Sequence, residues 1–92
     1  MGRPVFVFIK CDLGKAYDVA VDLVYEVDPC PQVYSISGEH DLIAQFHLPD
    51  EMDIGKFVTS QVQTLPGVRD TNTMIAFNTF ANDKGFKGDK PE

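Results

Sequence analysis

The chain has 92 residues, of which 43% are apolar and 24% charged, a composition typical of one globular domain that excludes disordered, collagen-like and coiled-coil proteins. Fourteen acidic and eight basic residues give a net charge of −6, the wrong sign for a domain that binds the phosphate backbone of nucleic acid directly. The first apolar run, residues 5–9, is too short for a signal peptide or a membrane span, so we expect a cytoplasmic protein without a membrane partner.

The first predicted elements are a buried strand and an amphipathic helix. Residues 5–11 are β-branched or aromatic on both alternating faces, which predicts a central strand. Residues 15–27 carry apolar side chains at helical spacing with acidic side chains opposite, and Asp12 is placed to cap this helix. The prolines in residues 28–31 end it.

A hairpin is predicted next. Residues 32–37 and 42–48 alternate in the period of two that is typical of strands. The connection between them, residues 38–41, begins with a glycine, as hairpin loops often do. We therefore expect these two strands to pair antiparallel.

The last predicted elements are a second helix and a fourth strand. The second helix is expected to open at Pro49, with Asp50 and Glu51 in its first turn, and to end at Pro66 and Gly67. Residues 68–77 then read as a strand. The composition turns polar beyond this point, so we divide the chain into a domain at residues 1–81 and a polar C-terminal tail at residues 82–92.

The order strand, helix, strand, strand, helix, strand predicts a ferredoxin-like βαββαβ fold of the α+β class, with an antiparallel four-stranded sheet and both helices on one face. Right-handed crossovers place the first and third strands in the middle. The strands also present apolar side chains to the face without helices, which a soluble monomer seldom tolerates. We therefore expect a homo-oligomer in which a second copy covers this face, a dimeric α+β barrel.

Cysteine and histidine residues give no sign of a disulfide, a metal or a cofactor. Cys11 ends the first strand and Cys30 precedes the parallel second strand, so they fall at opposite ends of the sheet and should be free thiols. His40 and His47 have neither metal-ligand spacing nor a nucleophile beside them. No catalytic residue, metal ligand or cofactor is therefore predicted.

Three segments carry a family resemblance. They are residues 5–15 (VFVFIKCDLGK), 33–44 (VYSISGEHDLIA) and 65–73 (LPGVRDTNT). In this order and spacing the chain, from residue 5 to about residue 79, resembles the ligand-binding or RAM domain of the Lrp/AsnC family of transcriptional regulators. The resemblance implies dimers, often assembled into rings, that bind an amino acid or similar small effector between dimers. In that family a helix-turn-helix precedes the domain, whereas here the sequence begins at Met1, so a stand-alone form is expected.

The candidate ligand residues lie in the hairpin loop and the fourth strand. Gly38 permits a tight turn, and the carboxylates of Glu39 and Asp41 can accept from an ammonium group. His40 stands where the resemblance implies a tyrosine. The predicted ligand-binding residues are Gly38, Glu39, His40, Asp41, Thr71 and Thr73, the last two matching the family's Thr-x-Thr. Two alternatives stay open. The loop can be an ordinary hairpin turn whose acidic side chains are solvated, and Thr71 and Thr73 can be present only because threonine favours strands.

Three functions are considered. The first is a sensor of an amino acid or similar effector. The alternative from another class is a small cofactor-free enzyme of the dimeric α+β barrel type, a monooxygenase or isomerase with His40 as base, but fold alone does not imply that activity and we predict no enzyme. The third is a structural partner that assembles with full-length Lrp/AsnC regulators and modulates their DNA binding.

Overall fold

The computed structural model describes residues 2–80 of the chain, so the predicted tail at residues 82–92 lies outside the described residues. The elements are β1 (Gly2–Cys11), α1 (Ala16–Glu26), β2 (Gln32–Ser35), β3 (Leu42–Pro49), α2 (Ile54–Phe57), which continues as one π-helical stretch (Val58–Val62), and β4 (Val68–Ile75). This is the predicted βαββαβ order.

The sheet has the strand order β2-β3-β1-β4 with every neighbouring pair antiparallel, which confirms that the first and third strands are central. Opposed residues of paired strands point to the same face. Val7 lies opposite Ala44 on one side and Thr73 on the other. These registers fix which side chains of all four strands share a face.

The hydrophobic core lies between the sheet and the two helices. Val19 and Leu23 of α1 are fully buried against it, as the helical spacing predicted. From the sheet, β1 and β3 contribute alternate residues of which none is more than 5% exposed, namely Val5, Val7, Ile9, Cys11, Leu42, Ala44, Phe46 and Leu48. Phe46 meets Phe57 of α2 edge to face, with ring centroids 5.1 Å apart.

One predicted helix start and one predicted helix cap are wrong. Pro49 is the last residue of β3 and pairs with Gly2, and the second helix begins only at Ile54, where the Asp53 side chain accepts a hydrogen bond from the Lys56 amide at 3.1 Å. Asp12 does not cap α1 with its side chain; its backbone carbonyl accepts from the Lys15 amide at 3.0 Å. For Pro49, long-range strand pairing with Gly2 displaces what the local pattern favoured.

The face of the sheet away from the helices, hereafter the open face, is apolar at its centre. Phe6 and Phe8 of β1 lie beside Ile43 of β3 and are only half-buried. Met74 of β4 and Tyr34 of β2, on the same face, are each 51% exposed. No element within residues 2–80 covers this surface.

The turn before β4 provides a test of local packing. Gly67 has a φ of +92°, and its carbonyl accepts from the Asp12 amide at 2.8 Å. A Cβ at this position would lie 2.9 Å from the Lys15 Cβ and 3.0 Å from the Val19 Cγ2. Gly67→Ala is therefore expected to lower the free energy of unfolding by about 1–2 kcal/mol through the left-handed backbone and by about 1 kcal/mol more through crowding.

Gly14→Ala is the matched control for that prediction. Gly14 also has a positive φ, +78°, but a Cβ there would meet nothing within 4 Å, so only the backbone strain is expected. Urea unfolding of both variants measures the difference. Equal losses of stability would show that the contact with α1 does not constrain Gly67.

Candidate functional site

Three segments meet at one end of the sheet: the end of β1, the hairpin loop before β3, and the start of β4. The registers that bring them together pair Ile9 with Leu42 and Lys10 with Asp70. Because β1 runs antiparallel to both of its neighbours, its last residues adjoin the first residues of β3 and β4. Residues about 30 and 60 positions apart in sequence thereby become neighbours.

The hairpin loop is held against β1 by Asp41. Its carboxylate Oδ2 accepts from the Cys11 amide at 2.8 Å, and its own amide donates to the Ile9 carbonyl at 2.9 Å. Gly38 has a φ of +111°, as its predicted role in a tight turn requires. One oxygen of Asp41 is therefore already used in fixing the loop.

His40 packs on an aromatic ring of the open face. Its imidazole lies 5.6 Å from the Phe8 ring, centroid to centroid, with the planes inclined at 53°. The side chain is half-buried. This contact ties the loop to the centre of the sheet and leaves one side of the imidazole beside the charged end of β1.

An open cleft of about 330 Å³, the polar cleft, lies between the loop and the start of β4. Its lining consists only of polar side chains, Lys10, Glu39, His40, Arg69 and Asp70. Its volume lies at the lower end of the usual range for small-molecule sites, about 300–1,000 Å³. Asp70 accepts from the Thr71 amide at 3.0 Å, while Lys10 and Arg69 form no ion pair with any described residue.

A second cleft of about 360 Å³, the β1–α1 cleft, adjoins the polar cleft and shares Lys10 and Arg69 with it. Asp41 and Asp12 contribute carboxylates here. In contrast to the polar cleft, this one is also lined by apolar side chains of the β1–α1 connection and the first turn of α1: Leu13, Ala16 and Tyr17. Lys10 and Arg69 thus stand between a polar and a partly apolar space.

The predicted ligand residues do not all meet within one protomer. Glu39 and His40 line the polar cleft and Asp41 lines the β1–α1 cleft. Thr71 and Thr73 share one face of β4, as predicted, but it is the helix-facing side, where the Thr71 hydroxyl accepts from the Gln63 side-chain amide at 2.7 Å. That all six contact one effector stays a prediction.

Sequence reasoning missed Lys10, Arg69 and Asp70 as parts of this site. In the sequence, Arg69 and Asp70 are two charged residues shortly after the Pro66-Gly67 turn, a common position for solvated side chains. The predicted strand order could have revealed them, because it already placed the end of the first strand beside the start of the fourth.

Among residues 2–80 no helix is long and apolar enough to cross a membrane, and no group of three His, Cys, Asp or Glu side chains is arranged to hold a metal ion.

Comparison with known proteins decides the family. The family model described as Lrp/AsnC ligand binding domain matches residues 4–86. This chain belongs to the Lrp/AsnC ligand-binding domain family. The resemblance read from the three sequence segments is therefore confirmed, and so is the ferredoxin-like α+β fold of this Lrp/AsnC domain.

Individual relatives are consistent with this membership. The HTH-type transcriptional regulator FL11 of Pyrococcus abyssi is 30% identical over 74 residues, which are 80% of this chain and 48% of FL11. The chain thus spans about half the length of the curated relatives it matches. The crystal structure of TTHA0845 from Thermus thermophilus is 27% identical with a TM-score of 0.73, covering 87% of this chain and 99% of that one.

More distant structures share the fold. The transcriptional regulator NMB0573 from Neisseria meningitidis, solved as a complex with L-Met, has a TM-score of 0.74 at 16% identity, covering 94% of this chain and 56% of its own. The matched family is a ligand-binding domain and the curated relatives are transcriptional regulators, not enzymes, in agreement with the prediction of no enzyme.

Loss of the Asp41 anchor should loosen the loop of this Lrp/AsnC domain. Asp41→Ala leaves the part-buried Cys11 amide without its acceptor, so we expect a loss of about 1–3 kcal/mol in the free energy of unfolding and faster hydrogen exchange of that amide. Asp41→Asn retains an acceptor oxygen and should lose less. Equal behaviour of the two variants would contradict a role for the hydrogen bond.

The Cys11 thiol should make stability depend on alkaline pH. Burial raises the pKa of Cys11 above its ordinary value, and the Asp41 and Asp12 carboxylates raise it further. The folded protein holds the thiol proton more tightly than the unfolded chain, so this group lowers stability as the pH rises above the unfolded thiol pKa, about 8.5. Urea unfolding between neutral pH and about pH 10 measures the slope.

Two cysteine variants separate this effect from general alkaline denaturation. Both thiols are free, but only Cys11 is buried. Cys11→Ala should flatten the alkaline slope, although it also removes buried volume and lowers stability at every pH. Cys30→Ala should keep the slope of the parent protein. The same slope in all three proteins would refute the assignment to Cys11.

Proposed function

We propose that this Lrp/AsnC domain is a cytoplasmic sensor that binds an amino acid or a similar small effector at contacts between protomers of a homo-oligomer. The observation that carries the proposal is the polar cleft, which presents side chains of both charges at the hairpin loop. Lys10 and Arg69 are two of only five basic residues in the described chain, and neither is paired with a described residue. Their placement together in an acidic protein favours an anionic group as their partner.

A zwitterion fits this distribution of charge. The Lys10 ammonium and the Arg69 guanidinium can donate to an α-carboxylate, and Arg can do so in bidentate geometry. Glu39 and Asp70 can accept from an α-ammonium group. His40 closes the cleft on the side of the open face. In this proposal the loop from Gly38 to Asp41 supplies the shape of the site as well as its acceptors.

Thr71 and Thr73 remain proposed effector contacts. Neither lines the polar cleft of its own protomer, so they can reach the same effector only across a contact between protomers. That requirement agrees with an effector held between subunits. The L-Met in the complex of NMB0573 supports an amino acid as the class of effector.

The proposed assembly uses the open face. Its exposed and half-buried apolar side chains belong to all four strands, and a second copy that presents the same surface would bury them sheet against sheet. Rings of such dimers would then bring hairpin loops of different dimers together. Because FL11 is an HTH-type transcriptional regulator, we also propose that full-length Lrp/AsnC regulators are partners of this domain.

Ligand screening tests the sensor proposal. The common amino acids are added singly to the oligomeric protein, and thermal unfolding and light scattering are recorded together. An effector at about 100 times its dissociation constant should stabilise the protein by about 2.7 kcal/mol. Arg69→Gln should remove that shift, whereas Lys56→Gln, an exposed cation on α2, should keep it. If no amino acid shifts the unfolding of the intact oligomer, the proposal fails.

A further inference from the structure

His47 is a titratable side chain on the open face that the proposed effector site does not use. It is an exposed residue of the central strand β3, and its cross-strand neighbour on β1 is Pro4. β2 begins at Gln32, which pairs with Gln45, so no β2 residue stands opposite His47. Cys30, which precedes β2, directs its thiol to a backbone carbonyl of α1. A copy seated on the open face would therefore cover an imidazole whose neighbours in the sheet are uncharged.

The open face of the strands has no net charge while His47 is neutral. Among the described strands, its charged side chains are Lys10 of β1 and Asp70 of β4, which are cross-strand neighbours of opposite sign. This pair lies at the other end of β1, about 20 Å from Pro4 at about 3.3 Å per residue. An identical surface can thus approach without like-charge repulsion, which favours a second copy of this chain as the occupant.

Two charged residues lie at the same end of the sheet as His47, and they have opposite signs. Arg3 pairs with Leu48, the residue after His47, and Asp50 follows the end of β3. Because both signs are present, this end of the sheet offers no net negative charge to an imidazolium. Within residues 2–80, no carboxylate forms an ion pair with the imidazole of His47.

The contact with Gln45 also favours the neutral imidazole. The amide nitrogen Nε2 of Gln45 lies 3.5 Å from His47 Nε2, at the outer limit of a hydrogen bond. An amide nitrogen can only donate, so this contact is attractive only while that imidazole nitrogen carries no proton. Protonation would place two donors against each other.

From these observations, and resting on the proposed open-face assembly, we infer that His47 makes the assembly depend on pH: copies associate with this imidazole neutral, and acidification separates them. Imidazole side chains change charge between about pH 5 and 8. Covering an imidazolium with the partner's apolar sheet would remove its hydration without supplying a carboxylate. The separated copies therefore bind protons that the dimer excludes, so association weakens as the pH falls. Each copy brings one such imidazole, which doubles the effect in a two-fold dimer.

Sedimentation equilibrium of the full chain at about pH 8 and about pH 5.5 tests the inference. The dissociation constant of the dimer is expected to be at least about 10-fold larger at the lower pH, because up to two protons are released when a dimer forms. In His47→Gln, which keeps a neutral polar side chain, less than half of this change should remain on a logarithmic scale. His40 is present in both proteins and so cannot produce the difference between them.

A permanent cation at the same position provides a second test. His47→Lys should raise the dissociation constant at least about 10-fold at about pH 8, as the imidazolium does at lower pH. Tyr25→Lys is the matched control, because it adds the same charge at an exposed aromatic residue of α1, away from the open face. It should keep the parent dissociation constant. Both substituted residues are exposed in the protomer, so both variants should fold, which circular dichroism checks.

The outcomes separate this inference from the assembly on which it rests. The role of His47 would be overturned by a dimer that is equally stable at both pH values or is stabilised by acid. It would also be overturned if His47→Gln kept more than half of the parent's change, or if His47→Lys were as dimeric as Tyr25→Lys. In each of these cases the proposed assembly stands. A parent chain that is monomeric at both pH values would contradict the assembly itself.

Discussion

Replacing Phe6 with glutamate is expected to convert the proposed oligomer into monomers. Phe6 lies on central strand β1 with Gln45 and Met74 as its cross-strand neighbours on the open face. In a sheet-on-sheet dimer this position is buried, and an unpaired carboxylate there would lose its hydration without gaining a partner. The symmetry of a dimer would bring a second new carboxylate close to the first.

Sedimentation velocity at micromolar concentration measures this effect. Tyr25→Glu is the control, because it adds the same charge at an exposed aromatic residue on α1, away from the open face. We expect the control to keep the parent sedimentation coefficient and Phe6→Glu to sediment as a folded monomer. Dissociation by Tyr25→Glu but not by Phe6→Glu would place the contact on the helices and refute an assembly through the open face.

Replacing Phe46 with alanine is expected to cause the largest loss of folding stability, about 3–5 kcal/mol. Phe46 is fully buried on β3 and packs edge to face on Phe57, so truncation opens a cavity and removes an aromatic pair. Stabilities of domains are commonly about 5–15 kcal/mol. The variant should therefore unfold at much lower temperature or urea concentration than the parent.

The comparison requires equal protein concentrations, because assembly contributes to the stability of an oligomer. Phe77→Ala serves as the control, since Phe77 is exposed beyond the end of β4 and its loss should change the stability by no more than about 0.5 kcal/mol. Phe46→Leu retains most of the buried volume and should lie between the two. A loss below about 1 kcal/mol in Phe46→Ala would mean that the core between sheet and helices is not packed as described.

Much of the fold could be predicted because its signals are local. The period of two in residues 42–48 and the helical spacing in α1 reflect which side chains face the core, and both agree with the observed burial. The strand order followed from the handedness of the crossovers. The free thiols of Cys11 and Cys30 followed from the same order.

The boundaries of the second helix could not be predicted from local pattern. Pro49 is a common first residue of helices, but its pairing with Gly2 keeps it in β3. The continuation of α2 as a π-helical stretch, marked by the hydrogen bond from the Gln63 amide to the Val58 carbonyl at 2.9 Å, leaves the apolar spacing almost unchanged. Neither feature has a strong signature in a single sequence.

The sequence by itself determined the order of elements, the two faces of the sheet, the apolar character of the open face and the family resemblance. Only the tertiary structure decided which charges meet, because the neighbourhood of Lys10, His40 and Arg69 arises from strand register between distant segments. It also decided that Thr71 and Thr73 face the helices and that Asp41 fixes the loop to β1. Side-chain periodicity can be read from a short segment of the sequence. Contacts between strands depend on the pairing of residues far apart in the sequence, which no short segment contains.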